Sequence, residues 1–176
     1  MINKNNNNKK NWFALYTKPR SEYKAREQLA VIEVDHYLPT FTSMKQWSDR
    51  KKKITEPLIR GYIFIYANEH ERLASVEQPS IVRCLFDGGH PACIPDWQID
   101  NIKKLLAQDS EIIVYNGIVT GTKVMIKNGH FEGVVGIVTD NEKGKSISIS
   151  IDLLNRSVIT RVPKGSELEV VKEILD

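Results

Sequence analysis

The stretch Tyr62-Ile-Phe-Ile-Tyr-Ala67 limits the possible folds of this chain more than any other segment. Aromatic and β-branched residues in an unbroken run, entered through Pro57 and Gly61, specify a strand. Side chains alternate along a strand, so Ile63, Ile65 and Ala67 share one face while Tyr62, Phe64 and Tyr66 share the other. Neither face is polar. Such a strand is either buried on both sides, or buried on one side with its aromatic rings offered to a partner. A second strand with the same division is expected at residues 12–17. There Trp12, Ala14 and Tyr16 lie on one face and Phe13 and Leu15 on the other, until Pro19 ends the ladder.

The segments between and after these strands define an alternation. Ser21 is placed to cap a helix reaching about Glu33, with Glu22 suited to the positive end of its dipole and Ala25, Leu29 and Ile32 at helical spacing. Residues 37–41 are extended and lead past Trp47 into the run Arg50-Lys51-Lys52-Lys53. Asn68 and Glu71 form a capping box for a short helix carrying Leu73 and Val76. Residues 81–86 read as a strand and Asp87-Gly88-Gly89 as a turn. A helix begins at Asp96, with Ile99, Ile102 and Leu106 spaced along it. The order β-α-β-β-α-β-α implies an α+β sandwich, helices packed on an antiparallel sheet.

Residues 109–118 lose periodicity and are expected to be a linker, although Ile112 to Tyr115 is apolar for that role. Beyond them, residues 124–127, 133–139, 146–152, 158–162 and 168–171 read as five short strands. The strict Ser/Ile alternation turns Ile147, Ile149 and Ile151 inward, and the pattern suggests a small all-β barrel. The expected organisation is a disordered tail at 1–11, a first domain at 12–108, the linker, and a second domain at 119–176.

Composition narrows the function classes. No apolar run approaches the roughly 20 residues that a membrane helix needs. The asparagine- and lysine-rich start has no apolar core of a secretory signal, so a cytoplasmic protein is expected. Cys84 and Cys93 alone imply no disulfide framework. The net charge is +3, and its excess lies early: 17 Lys+Arg against 14 Asp+Glu over residues 1–118, and 8 against 8 afterwards. Much of the excess is in the tail, the Lys18–Arg20 turn and the Arg50–Lys53 run. That run is either a solvated hairpin tip or a phosphate-contacting loop. Catalytic patterns are missing. Cys84, His90 and Cys93 match no zinc spacing and lack a fourth ligand. His36, His70 and His130 fall in different elements. Gly129, Gly133 and Gly136 are followed by a strand where a phosphate-binding loop needs a helix. No enzyme, metal or cofactor is expected.

Taken in order, residues 12–16, the helix after Ser21, Tyr37-Leu-Pro-Thr and the run from Glu56 to Ile65 resemble the N-terminal (NGN) domain of NusG-type transcription factors. Residues 121–138 resemble the KOW motif, an SH3-like barrel, that follows it. Leu15-Tyr16, Glu56-Pro57-Leu58 and Tyr62-Ile63-Phe64 place the chain nearest the specialised RfaH- and UpxY-like antiterminators. The resemblance implies a monomeric bacterial factor that binds elongating RNA polymerase at the clamp of the largest subunit and suppresses pausing and termination, at particular long operons. The implied polymerase-binding patch is Tyr16, Leu58, Ile59, Gly61, Tyr62 and Phe64. Arg60 stands where a proline is usual in the family. Arg50, Lys51, Lys52, Lys53 and Arg72, with Arg83 a lesser candidate, would approach non-template DNA or nascent RNA. Lys127, Gly129, Gly133 and Gly136 would belong to the KOW motif, whose partners in the family are Rho or a ribosomal small-subunit protein. The other reading of the chain is a KOW-type RNA-binding or ribosome-associated module.

Overall fold

The structure, a computed structural model, describes residues 8–46, 50–108, 112–117, 119–141 and 144–171. Trp47, residues 1–7 of the expected tail and residues 109–111 and 118 of the expected linker lie outside the described residues. The chain divides into two compact units, Met1–Asp96 and Trp97–Asp176.

The first unit is built on a sheet of β1 (Asn11–Thr17), β2 (Asp35–Tyr37), β5 (Tyr62–Ala67), β6 (Ile81–Cys84) and β9 (Cys93–Ile94). Its order is β2-β5-β1-β6, with β9 also paired to β1, and all pairs are antiparallel. Strands β3 (Thr40–Gln46) and β4 (Lys51–Pro57) form a separate two-stranded hairpin. Helices α1 (Glu22–Val31) and α2 (Glu69–Val76) contribute to the packing of one sheet face. Phe13, Leu15, Ile63, Ile65 and Ala67 meet Ala25, Leu29 and Val34 there in one core. The period-two reading therefore identified the core face of both long strands.

Three local expectations are corrected. Asn11, expected in the tail, opens β1, and Lys10 pairs with Glu71 at 2.9 Å and Asp35 at 3.5 Å. Ser21 precedes α1 without capping it: its hydroxyl donates to the Pro19 carbonyl at 3.3 Å. In α2 the Asn68–Glu71 capping box is present, but the helix buries Arg72 and Ser75 and leaves Leu73 exposed.

Between β6 and β9 the chain leaves the sheet. Leu85 donates its N–H to Ala14 of β1, while its carbonyl accepts from Ala92. The residues between form a small hairpin of β7 (Phe86–Asp87) and β8 (His90–Pro91) around Gly88-Gly89. The edge of the sheet is thus one interrupted strand.

The second unit holds α3 (Asp96–Leu106), whose first residue closes the first unit, and a six-stranded antiparallel sheet. Its strands are β10 (Ile112–Asn116), β11 (Thr122–Ile126), β12 (Val135–Asn141), β13 (Gly144–Ile151), β14 (Arg156–Arg161) and β15 (Leu168–Val170). The order is β10-β14-β13-β12-β11-β15. Five of these strands were expected. The sixth, β10, occupies residues read as linker, and pairing with β14 from Ile112↔Thr160 to Asn116↔Arg156 explains their apolar character. Among the described residues no ladder joins β10 to β15. Ile147, Ile149 and Ile151 are fully buried, as their alternation required.

Helix α3, expected to close the first domain, has its side-chain hydrogen bonds in the second unit. Asn101 donates to the Val135 carbonyl at 2.9 Å and accepts from the Val135 N–H at 3.3 Å. Gln98 donates to Asp152 at 3.1 Å, and Lys104 to the Glu132 carbonyl at 3.2 Å. Ile99, Ile102 and Leu105 are fully buried, with Leu105 in the place expected for Leu106.

Candidate functional site

The second face of the main sheet carries the aromatic rings. Register places Tyr16 opposite Tyr62, Trp12 opposite Tyr66, and Ala14 opposite Phe64 between them. Directly opposed residues of an antiparallel pair point to the same side, so the rings meet in cross-strand pairs. Tyr16 and Tyr62 have centroids 5.4 Å apart at 56°, and Trp12 and Tyr66 5.3 Å apart at 43°, both in the favourable range for tilted rings. Tyr37 lies opposite Phe64 from β2, and burial pushes its phenol up to about 12.

The face is not uniformly open. Phe64 is fully buried, and Leu58 and Ile59 are nearly so, while Tyr16 is 37% exposed and Tyr62 half-buried. Of the expected patch, Tyr16 and Tyr62 present ring surface in this conformation; Phe64, Leu58 and Ile59 lie beneath the surface as packing.

Gly61 explains how the ring pair is held. Its φ of +82° is a conformation that L side chains rarely adopt, and a Cβ there would lie 3.2 Å from Cε2 of Tyr16. The Tyr16 ring therefore rests against the Gly61 backbone. The Gly61 carbonyl accepts from Thr17 N–H at 2.8 Å, and its N–H donates to the Glu22 carboxylate at 2.7 Å. Glu22 is 6% exposed. It was read as a helix-dipole residue; its carboxylate ties the first turn of α1 to the turn before β5. Nothing in local sequence signals this bond, because the partners are 39 residues apart. Arg60, at the family's usual proline position, is exposed and pairs with Glu56 at 3.3 Å.

The expected cationic residues separate into two groups. Arg50, Lys51, Lys52 and Lys53 are all exposed at the distal part of the β3–β4 hairpin, where Lys51 stands opposite Gln46 and Lys53 opposite Met44. Arg83 is exposed on β6 opposite Tyr16. Arg72 is a correction. It is 5% exposed, forks onto Glu69, and lies 5.8 Å from the Phe86 ring centroid. Its place on the inward side of α2 makes it a structural cation, unavailable to phosphates. Its hydrogen bond holds the Glu69 carboxyl below the usual carboxylate value.

In the second unit Lys127 pairs with Glu169 at 2.8 Å, and this hydrogen bond raises its pKa. Gly129 opens a single 3-10 turn, Gly129–Phe131, and Gly133 follows it. Gly136 is a true close approach: a Cβ would meet the Ser148 carbonyl oxygen at 2.6 Å. Among the described residues no three His, Cys, Asp or Glu side chains gather as for a metal, so Cys84, His90 and Cys93 form no such site. No helix of the described chain is long and apolar enough to cross a membrane.

These features define a class: a chain of two units, an α+β unit with an aromatic sheet face followed by an antiparallel sheet bearing a helix. Residues 10–103, more than half of the chain, match the family model described as NusG, transcription termination factor nusG. The chain belongs to the NusG family, a family of transcription factors. Among solved structures it is similar to one described as "Domain interaction in Thermotoga maritima NusG", at 22% identity and a TM-score of 0.52, covering 93% of this chain and 98% of that one. At that identity the likeness is one of fold. Two conformations of an MjSpt4:Spt5 complex also match. One has 16% identity and a TM-score of 0.32 over 90% of this chain and 98% of that one; the other has 17% and 0.33 over 93% and 99%. Those scores are too low to carry an argument.

Proposed function

We propose that this protein is a transcription elongation and antitermination factor that docks on the clamp of RNA polymerase through the Tyr16–Tyr62 end of its aromatic face. It suppresses pausing and termination at particular long operons, as the specialised RfaH- and UpxY-like members of its family do. The observation that carries this reading is the ring pair itself. Two tyrosines are held as a tilted pair beside a glycine turn, with Tyr16 exposed and Phe64 packed beneath the surface. Rigid, partly exposed aromatics on a braced backbone are the residues that dominate binding energy at protein interfaces. No bond is made or broken. The factor shifts polymerase away from its paused state by binding the elongating state more tightly.

The exposed Arg50–Lys53 segment would lie against the phosphates of non-template DNA or nascent RNA, adding a salt-dependent contribution. Residues 119–176 are read as the KOW domain, and the Gly136 close approach supports that assignment. Its partner would be Rho or a ribosomal small-subunit protein.

The test is the affinity of the full chain for a reconstituted bacterial elongation complex. Tyr16→Ala and Tyr62→Ala are each expected to weaken binding by about 2 kcal/mol, roughly thirtyfold, as for interface hot spots. Either variant, folded and binding as tightly as the parent, would refute the docking surface.

A further inference from the structure

Residues 119–176 carry balanced charge, 8 Lys and Arg against 8 Asp and Glu, but the cations are not spread evenly. Lys145, Arg161 and Lys164 line one cavity of about 520 Å³. They come from three places in the chain: the start of β13, the end of β14 and the turn that follows it. Val162, Pro163 and Leu168 supply an apolar part of the same lining. All three cations are exposed, and none pairs with a described carboxylate. Asp140 stands opposite Lys145 on β12, and Glu167 lies between two lining residues in sequence, but neither lines the cavity.

The rim is held in shape by hydrogen bonds. Val162 donates its N–H to the Lys145 carbonyl at 2.9 Å, continuing the β13–β14 pairing past Arg161. Ser166 donates to the Pro163 carbonyl at 3.2 Å and closes a turn with Lys164 at its tip. The Asn128 side chain clasps that turn: it donates to the Gly165 carbonyl at 3.4 Å and accepts from the Glu167 N–H at 2.8 Å. A ligand therefore meets a backbone already in place, and ordering is confined to the long side chains.

Like charges around a concave surface focus the field there and attract anions. The volume lies within the roughly 300–1,000 Å³ of small-ligand sites, more than a single inorganic ion fills. The ligand that suits both parts of the lining carries several negative charges and an apolar, uncharged portion. We propose that this cavity binds a nucleotide, with its phosphates on Lys145, Arg161 and Lys164 and its base against Val162, Pro163 and Leu168. A free nucleoside triphosphate and a single RNA strand both present this chemistry. No aromatic ring is among the described lining residues, so affinity rests on the phosphates and the bases are hardly distinguished. Three phosphate contacts on a single strand give log K a slope of about −2 against log salt, a loss of roughly twentyfold between about 50 and 200 mM.

The experiment titrates the isotope-labelled full chain with ATP, adenosine, tripolyphosphate and single-stranded hexaadenylate, followed by amide NMR shifts. Shifts at residues 144–145 and 161–168 report this cavity, and shifts at residues 50–53 report the cationic segment of the first unit separately. ATP and hexaadenylate should both move the cavity residues, adenosine should not, and tripolyphosphate should bind more weakly than ATP because it has no base. Tighter binding of hexaadenylate than of ATP would identify an RNA strand as the source of the phosphates, and the reverse order a free nucleotide. Lys145→Gln, Arg161→Gln and Lys164→Gln, all at exposed positions outside the core, should each weaken binding about fivefold. Each should also flatten the salt slope for hexaadenylate by about 0.7. No shift at the cavity residues with either ATP or hexaadenylate, adenosine or tripolyphosphate binding as tightly as ATP, or affinity and salt slope unchanged in all three variants would overturn the assignment.

Discussion

Removing the side chain of Asn101 should destabilise the second unit by more than any exposed substitution on the same helix. Its amide spans the backbone of Val135, donating at 2.9 Å and accepting at 3.3 Å, and Asn101 is 3% exposed. Each buried bond contributes about 1 kcal/mol net, and a partner left without water costs about 1–3 kcal/mol. Asn101→Ala strands both the N–H and the carbonyl of Val135, so the loss is about 2–4 kcal/mol. With a urea dependence of about 2 kcal/mol/M, the unfolding midpoint of the second unit falls by about 1–2 M. Asn101→Asp sharpens the test. One carboxylate oxygen still accepts from the Val135 N–H, but the other faces the Val135 carbonyl. At neutral pH the aspartate should therefore cost more than the alanine, and acid that protonates it should recover part of the loss. The assay is urea denaturation of the full chain, with the Val135 amide followed by NMR. A midpoint for Asn101→Ala equal to the parent's, or an aspartate variant no worse than the alanine, would refute the view that this bond pair holds α3 in the second unit.

Two further outcomes follow from the site. Glu22→Ala removes the charged acceptor of the Gly61 N–H and should cost the first unit about 2 kcal/mol; Glu22→Gln, which keeps an acceptor oxygen, should cost less in the same urea assay, and equal losses would dismiss the charge assistance. Glu69 should titrate below the ordinary glutamate value of 4.5, because the Arg72 hydrogen bond favours its ionised form. A depressed folded value means that the pair's stabilisation is complete above the unfolded value and disappears as pH falls through the folded one. NMR titration of the Glu69 carboxyl should move back toward 4.5 in Arg72→Met, and no movement would remove the pair as the cause.

What the sequence revealed and what it concealed divide along physical lines. Period two separated Phe13, Leu15, Ile63 and Ile65 from Tyr16, Tyr62 and Phe64, because the faces of a strand are a local property. The Asn68–Glu71 capping box was legible for the same reason: both bonds lie within one turn. Contacts between distant segments were not legible. Glu22 looked like an ordinary first-turn acid until Gly61 was placed beside it. Asn101 and Gln98 are polar and lie outside the apolar spacing of Ile99, Ile102 and Leu106, yet they are buried by what they bond to. Arg72 was read by its charge, and burial beside Glu69 decides its role. Ile112 to Tyr115 looked unstructured because a strand of five residues has little pattern before its neighbour β14 is known.

The hairpin that interrupts the sheet edge has a consequence for how this chain tolerates change in length. Because Ala92 bonds back to Leu85 at the point of departure, the pairings of β6 and β9 with β1 do not depend on what lies between. Register is fixed below the branch and free above it. Residues 86–91 are therefore a natural graft point. A longer loop, an epitope or a fluorophore-bearing turn inserted at Gly88-Gly89 would cost little more than its own closure entropy, which grows only slowly with length. The same insertion inside β5, where every residue of the strand is committed to a face, would shift the aromatic and aliphatic sets onto the wrong sides of the sheet.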